Sequence, residues 1–355
     1  GGRRVRAWNV VEAGAPLVET VSPDPVPTGT EVIVEVTHCG LCHSDLTLWR
    51  GIFDLGDRKV PIDAVGIRRP LTLGHEILGR VVALGPEAEG VAIGDRRLVF
   101  PWVGCGTCAV CAGGDEHMCP TSRGLGIRAP GGFGSHVVVP HPRHLVDYGD
   151  LDPAVAATYA CSGLTTYSAI AKAMPLPPDE PLVLIGAGGL GQQAIRILVA
   201  LGHRAIVVVD VSPEKLAAAK AAGAHVTVDG RGDDLAPRLK AAIGGPARTI
   251  VDLVNDATSA PAAFAALGRG GRLIMVGMFG GAMSLPLMMM PLQGLTLRGS
   301  YVGSPAELRA LLDLATSGRL APIPVTRVPR DDVMAAMIRL DEGRVDGRLV
   351  LETAF

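Results

Sequence analysis

Residues 182–191 constrain the fold of this chain more than any other stretch. Leu182-Val183-Leu184-Ile185 reads as a buried strand, Gly186-Ala187-Gly188-Gly189-Leu190-Gly191 as a tight turn, and Gln192 to Leu201 as a helix. The glycines at 186, 188 and 191 have the spacing that lets a backbone approach a pyrophosphate at the positive end of a helix. The next apolar run, Ala205 to Asp210, ends on an acid. In such a unit that acid binds the adenosine ribose 2′-hydroxyl. A 2′-phosphate would meet repulsion at Asp210, and no basic residue directly follows it, so NAD is expected over NADP. Lys215 stands within reach of the same ribose. Helical and strand runs keep alternating, at Pro213–Ala222, Val226–Asp229, Thr249–Val254, Pro261–Leu267 and Arg272–Gly277. Alternation of this kind predicts an α/β domain with a doubly wound parallel sheet.

The rest of the chain has another texture. Val32 to Val36, Ile77 to Leu84 and Gly94 to Phe100 read as strands between turns, with no helical period in residues 3–37. Cys42 falls in a polar loop. Arg50 to Leu71 is a long polar segment with no clear period. Asp152-Pro153 is a helix start, and Ala154 to Ala173 reads as one alanine-rich helix carrying Cys161. Beyond residue 303 lie helices at Pro305–Ser317 and Arg330–Leu340 and a last strand at Arg348–Glu352. A chain of 355 residues exceeds what one core serves, so two domains are expected.

The cysteines carry the chemistry. There are seven, at 39, 42, 105, 108, 111, 119 and 161. An odd, clustered set without a secretory signal argues for metal ligation in a reducing compartment, and a cytoplasmic protein is expected. Cys105, Cys108, Cys111 and Cys119 follow a C-x2-C-x2-C-x7-C pattern that suits a closed, structural zinc. An iron–sulfur cluster is the rival reading of the same triplet. Cys42 lies in Gly40-Leu41-Cys42-His43-Ser44-Asp45, His75 in Gly74-His75-Glu76, and Cys161 in Ala160-Cys161-Ser162-Gly163. Two thiolates and an imidazole are the ligands of a zinc that keeps one position open, and an open position can polarise a substrate oxygen. Asp45 is placed to orient His75. Cys39 reads as a structural thiol. His136, His141 and His144 read as solvated, and Met288-Met289-Met290 as core or an interface strand.

Net charge is −2, which gives no basic surface for nucleic acid. No apolar run reaches membrane-spanning length, and Gly1 to Val5 lacks the apolar core of a signal peptide.

With these motifs the chain resembles the zinc-containing medium-chain alcohol dehydrogenases over essentially its whole length. The resemblance implies a GroES-like, β-rich catalytic domain from residues 1–160 and 302–355, with a Rossmann NAD-binding domain at 161–301 between them. It implies that Ser44 takes the alcohol proton and that Glu76 sits behind the catalytic zinc. His43 and Arg348 would face the pyrophosphate, and Trp49 and Trp102 would line the substrate pocket. It further implies two zinc ions per chain, a small alcohol or aldehyde substrate, and a homodimer or homotetramer. Two departures stand out. Thr47 occupies the position where many relatives carry a relay histidine, and the 50–71 segment is longer than in compact relatives. Polyol-type relatives often use Glu as the third zinc ligand, where this chain has Cys161. Reductases of the family that use NADPH are opposed by Asp210, and a zinc-free, non-catalytic relative by the full ligand set.

Overall fold

The computed structural model describes residues 4–353. Gly1, Gly2 and Arg3, discussed above as the N-terminus, lie outside the described residues. The strand before the glycine turn stands in the middle of a sheet. Leu182–Ile185 pairs in parallel with Ile206–Asp210 on one side and Ala247–Asp252 on the other. Val226–Asp229 then adds beyond Ile206–Asp210, and Leu267–Met275 and Thr296–Gly299 add beyond Ala247–Asp252. All five pairings are parallel, and the order of strands reverses beside Leu182–Ile185, where ligands bind in such sheets. Both faces of this sheet are covered, so its strands are apolar throughout. The alternation is visible residue by residue. Leu182 and Leu184 enter one core, while Val183 and Ile185 enter the core on the opposite face.

The N-terminal part is an antiparallel assembly. Val32–Gly40 lies between Glu76–Leu84 and the C-terminal strand Arg348–Glu352, and also pairs with His136–Val139. Val325–Pro329, which the sequence reading missed, runs parallel to Arg348–Glu352 at the edge. The C-terminal strands therefore complete a sheet begun near the other end of the chain. The core of this part gathers Val34, Val36, Ile77, Val81, Phe133, Leu349 and Leu351.

The two parts share apolar contact through the helical stretch 153–173. Ala156, Ala157, Leu164 and Ile170 join Leu78, Leu98 and Phe100 to Leu184, Ile195 and Leu311 in one core. That stretch is not one regular helix. Pro153–Thr158 and Leu164–Ala173 are α-helical, but Tyr159–Gly163 between them forms a wide π-type turn, and Cys161 sits in it. Such turns tend to occur at functional sites.

Three other expectations need correction. Residues 50–71 are not without structure. Ile52–Asp54 and Lys59–Pro61 form a hairpin, and a 3-10 turn follows at Ile62–Val65. Ile62 and Ile67 are buried in the N-terminal core, whereas Ile52, Leu55 and Val65 point outward. Met288, Met289 and Met290 are not core. Met289–Gln293 is a short exposed helix, and Met288 keeps 74% of its surface. Cys42 is not in a loop but caps the helix His43–Arg50. Among the described residues, no helix is long and apolar enough to cross a membrane.

Asp152 does cap its helix, accepting from the Ala154 amide at 2.9 Å, and it also meets Arg327 at 2.6 Å. The ion pair is exposed and adds little. Asp152→Ala should therefore cost about 1 kcal/mol, chiefly the cap, and lower Tm by about 2 °C in a thermal scan.

Candidate functional site

Three side chains from distant parts of the sequence converge. The donor atoms of Cys42, His75 and Cys161 lie within 4.8 Å of one another, with the two sulfurs 3.8 Å apart. Each is placed by local structure. Cys42 takes an extended conformation at the helix start, and its amide donates to Asp45 Oδ2 at 2.9 Å, closing a capping box. The other oxygen of Asp45 lies 3.4 Å from His75 Nδ1, which leaves Nε2 facing the thiols. Gly74 has φ 96°, and a Cβ there would meet Phe133 at 2.6 Å and the Cys39 sulfur at 2.8 Å. Only glycine fits before His75, with Cys39 as buried packing. Ser44 donates its hydroxyl to Cys42 Sγ at 3.1 Å and stands 3.5 Å from His75 Nε2.

The electrostatics favour a cation. The hydrogen bond with Cys161 holds Cys42 well below the usual thiol range, against burial and with help from His75. The same bond, with burial, pushes Cys161 well above it. Burial opposes protonation of His75, yet the Asp45 carboxylate and Cys42 raise it well above the ordinary imidazole range. A half-buried and a buried thiol with an imidazole backed by a carboxylate are the donor set of a zinc site with three protein ligands, and the residues fit that ion.

Behind this cluster lies a buried ion pair. Glu76 and Arg348 are both buried and paired, and the Ser162 amide also donates to Glu76 at 3.3 Å. Burial, with the Cys42 charge, outweighs Arg348 and raises the Glu76 carboxyl to about 7. Arg348 faces two ways. It also lies against the dinucleotide turn, so that a Cβ on Gly189 would meet its Cδ at 2.9 Å.

The turn itself is closely built. A Cβ on Gly191 would come within 2.2 Å of the Gly186 carbonyl, and Leu190 packs on the shared core. Gly188 caps the helix Gly189–Ala200. Asp210 accepts from the Ala187 amide and from the Ser212 amide, each at 2.8 Å. It thus ties the glycine turn to the end of the next strand. His43 is exposed, with its ring 5.8 Å from Phe279. Lys215 is half-buried at the start of its helix. Although the residue as a whole is exposed, desolvation of the His43 ring lowers its pKa; the Cys42 charge opposes this, and the charges of Arg348 and Lys215 add to it. The dinucleotide fingerprint and its acid are thus assembled, and they fit an adenine dinucleotide.

The four-cysteine loop is also assembled. The sulfurs of Cys105, Cys108, Cys111 and Cys119 lie within 4.8 Å of one another. Backbone amides point at them: Cys108 N to Cys105 Sγ and Cys105 N to Cys119 Sγ, both at 3.3 Å. The Thr107 amide and hydroxyl, with the Cys108 amide, bring Cys105 down to about 5. Four thiols with no open side suit a structural zinc.

The sequence reading missed what stands behind this loop. Glu116 accepts from His144 Nε2 at 2.6 Å, from the Gly104 amide at 3.0 Å and from Arg143 at 3.1 Å. His144 is therefore not solvated, as the sequence suggested, but buried at 1% exposure. A carboxylate between Cys111 and Cys119 was the available signal, and its partners lie too far along the chain to be inferred.

Of the two tryptophans, only Trp102 reaches the metal ligands. Its ring is 5.2 Å from that of His75, and its N–H donates to the Ala160 carbonyl at 2.9 Å. Trp49 packs on the N-terminal core, and its N–H donates to the Ala15 carbonyl at 2.7 Å. Tyr301, which no motif marked, meets Trp102 edge-on at 5.8 Å. Although 39% of Tyr301 is open, burial of its phenol, with the Cys161 charge, pushes it up to about 12.

Comparison with known proteins agrees with this assembly. Residues 28–150 match the alcohol dehydrogenase GroES-like domain, and residues 189–317 match the zinc-binding dehydrogenase domain. An NAD-dependent alcohol dehydrogenase of Sulfurisphaera tokodaii is 35% identical over 98% of this chain and 99% of its own. The chain belongs to the zinc-containing medium-chain alcohol dehydrogenase family. Another relative in the family, a D-arabinose 1-dehydrogenase (NADP(+)) of Saccharolobus solfataricus, is 32% identical over 97% of this chain and 98% of its own. The crystal structure of an alcohol dehydrogenase from Aeropyrum pernix superposes with a TM-score of 0.89 at 30% identity, covering 98% of this chain and 100% of that one.

Two outcomes follow from the four-cysteine loop. Cys119→Ser should reduce zinc from two ions to one per chain by elemental analysis and lower Tm, because a closed site contributes folding energy directly. Glu116 is held at about 2, below its ordinary 4.5, because His144, Arg143 and the Gly104 amide together outweigh burial. A depressed carboxyl stabilises the fold above its unfolded pKa and loses that contribution as pH falls through the folded one. The stability advantage over Glu116→Gln in urea titrations should thus be constant from pH 8 to 5 and shrink from 4.5 toward 2.

Proposed function

We infer that this chain is a reversible, NAD-dependent zinc alcohol dehydrogenase that oxidises medium-sized primary or secondary alcohols, apolar or aromatic, to aldehydes or ketones. The observation that carries the reading is Arg348, which pairs with Glu76 behind the metal ligands and packs on Gly189 of the dinucleotide turn. Metal cluster and cofactor turn are thereby parts of one site. Zinc held by Cys42, His75 and Cys161 would supply a Lewis acid that lowers the pKa of an alcohol, and NAD would supply the hydride acceptor. An alcohol and NAD⁺ give a carbonyl compound, NADH and one proton.

The chain's own residues bind, orient and move that proton. Ser44, between Cys42 and His75, is placed to accept it from the substrate hydroxyl. Thr47 donates to the His43 carbonyl at 3.5 Å, so the proton passes from Ser44 to a cofactor hydroxyl or water. Asp45 fixes His75. His43, Arg348 and Lys215 bring positive potential to the cofactor's phosphates and ribose. Asp210 has both carboxylate oxygens engaged by backbone amides, yet each retains a lone pair for a ribose hydroxyl.

Three finer assignments belong to the same reading. The catalytic domain is formed by residues 1–160 and 302–355, and the cofactor domain by 161–301. This is supported by the pairing of Arg348–Glu352 with Val32–Gly40. The chain acts as a homodimer or homotetramer in the cytoplasm. The strand Thr296–Gly299 is the sheet's edge, and Leu287, Met288 and Leu292 stand exposed before it. The segment Arg50–Leu71, with its hairpin at residues 52–61, forms part of the substrate entrance and sets which alcohols are accepted. It packs on residues 280–282, where the Asp54 carbonyl accepts from the Gly281 amide at 3.4 Å.

The sugar-oxidising, NADP-using alternative is opposed by Asp210. Steady-state assays with ethanol, hexanol, benzyl alcohol and arabinose, each with NAD and NADP, decide between the two. NADH should form from the alcohols, with kcat/KM for NAD well above that for NADP. Asp210→Ala should narrow that gap by about tenfold or more, mainly by relieving repulsion with the 2′-phosphate. Equal values for the two cofactors in the parent protein would refute the assignment.

A further inference from the structure

The parallel sheet has a second end that neither the metal ligands nor the dinucleotide turn uses. Leu182, which begins its strand, stands beside Thr249, and Thr249 stands beside Arg272, on three neighbouring strands. The glycine turn begins after Ile185, at the other end. The strand Leu182–Ile185, roughly 10 Å long at about 3.3 Å per residue, separates the two ends. A cavity of about 260 Å³ opens at the Leu182 end, lined by Thr249 and Arg272, by Arg248 and Glu180, and by Leu176 and Pro177. At about 30 Å³ for each water of the liquid, it has room for roughly eight.

Thr249 forms the floor of this cavity. It is 0% exposed, and among the described residues no group lies within hydrogen-bond distance of its hydroxyl. A buried hydroxyl left unpaired carries a desolvation cost, and each one in a native fold calls for an explanation. Arg272 lies on the same face of the sheet, since Val251 and Ile274, two residues further along their strands, enter one core. Its Nη2 donates to the carbonyls of Ala173 at 2.7 Å and Pro175 at 3.5 Å, which fixes the guanidinium at the end of the helix Leu164–Ala173. A guanidinium spreads five N–H donors over three nitrogens, so donors remain. Among the described residues, no carboxylate pairs with Arg272. Arg248 meets Glu180 at 3.1 Å and stays 66% exposed. The wall that carries Glu180 is tied down, because the Glu180 carbonyl accepts from His203 Nε2 at 2.9 Å and the Pro178 carbonyl from the Arg204 amide at 2.8 Å.

The cavity thus sets two guanidiniums and a hydroxyl against one carboxylate. Guanidinium forks match the oxygens of a phosphate. A phosphate monoester carries about −1.5 to −2 charge at pH 7, enough to engage Arg272 and to share Arg248 with Glu180. Leu176 and Pro177 offer an apolar wall to a short organic stem.

We propose that this cavity, remote from the cofactor turn, binds a small phosphate monoester, with its oxygens on Arg248, Arg272 and the Thr249 hydroxyl and its stem along Leu176 and Pro177.

Calorimetry on the zinc- and NADH-loaded full chain tests it, with glycerol 3-phosphate as the ligand. NADH fills the dinucleotide turn, so phosphate binding there does not register, and the readout needs no alcohol. The parent should bind with a Kd of roughly 1 mM or less, and its Tm should rise with glycerol 3-phosphate at constant ionic strength. Thr249→Val removes the hydroxyl and keeps the shape. It should weaken binding roughly three- to tenfold while holding or raising Tm, because an unpaired buried hydroxyl is gone. Arg272→Gln should weaken binding about tenfold or more. Glu180→Gln removes the competing charge and should tighten binding about twofold or more, which a merely damaged fold would not do. Inorganic phosphate should bind the parent about threefold more weakly, and equal affinity overturns the part given to the stem. Absence of heat and of a Tm rise at about 20 mM glycerol 3-phosphate overturns the proposal. So does a Kd within about twofold of the parent in both Thr249→Val and Arg272→Gln.

Discussion

The buried pair of Glu76 and Arg348 is the interaction on which the rest of the site depends. Neither charge is tolerable in such a place alone, since removing one partner leaves the other uncompensated in a dry interior. Glu76 follows His75 directly, and Arg348 begins the strand Arg348–Glu352. Their pairing fixes the C-terminal strand against Val32–Gly40 in the register that carries Leu349 and Leu351 into the core. It also places a guanidinium under the glycine turn. One electrostatic demand thereby sets the relation between chain end, metal cluster and cofactor cleft.

The legible and illegible parts of this molecule divide along a physical line. Leu182–Ile185, Pro213–Ala222 and Val226–Asp229 lie where the sequence placed them, because glycine turns, proline starts and buried apolar runs are local signals. The helix Leu235–Ile243 and the strand Val325–Pro329 were missed. The helix was missed although Leu235, Leu239 and Ile243 recur at helical spacing, and the strand lies at a sheet edge, where its half-exposed residues show little alternation. The metal ligands were legible as residue types at telling spacings, and the structure gathers them. What surrounds them was not legible. His144 meets Glu116 across 28 residues, and Tyr301 meets Trp102 from a distant part of the chain, and no pattern within either segment announces the other.

The cleft between the two parts is crossed more than once. The hairpin at residues 52–61 touches residues 280–282, Phe279 approaches His43, and Tyr301 reaches Trp102. In each case a residue of the 277–301 stretch meets one from the N-terminal sheet assembly. These contacts are small beside the shared core around residues 153–173. The two parts are therefore joined mainly through that core, with a few smaller contacts besides.

The wide turn at Tyr159–Gly163 has one more consequence. Its loosened backbone is satisfied by hydroxyls: Ser162 donates to the Thr158 carbonyl, Thr166 to that of Ser162, and Gln193 reaches the Thr158 and Ser162 hydroxyls. A π-type turn holds one residue more than an α-turn, and here the extra residue brings the Cys161 sulfur to 3.8 Å from that of Cys42 while the helices on either side keep their buried faces. Cys161 is itself packed in the core that joins the two halves of the molecule, at 6% exposure. A different third donor would therefore also be a different core residue, so the metal's ligand set and the union of the two halves can change only together.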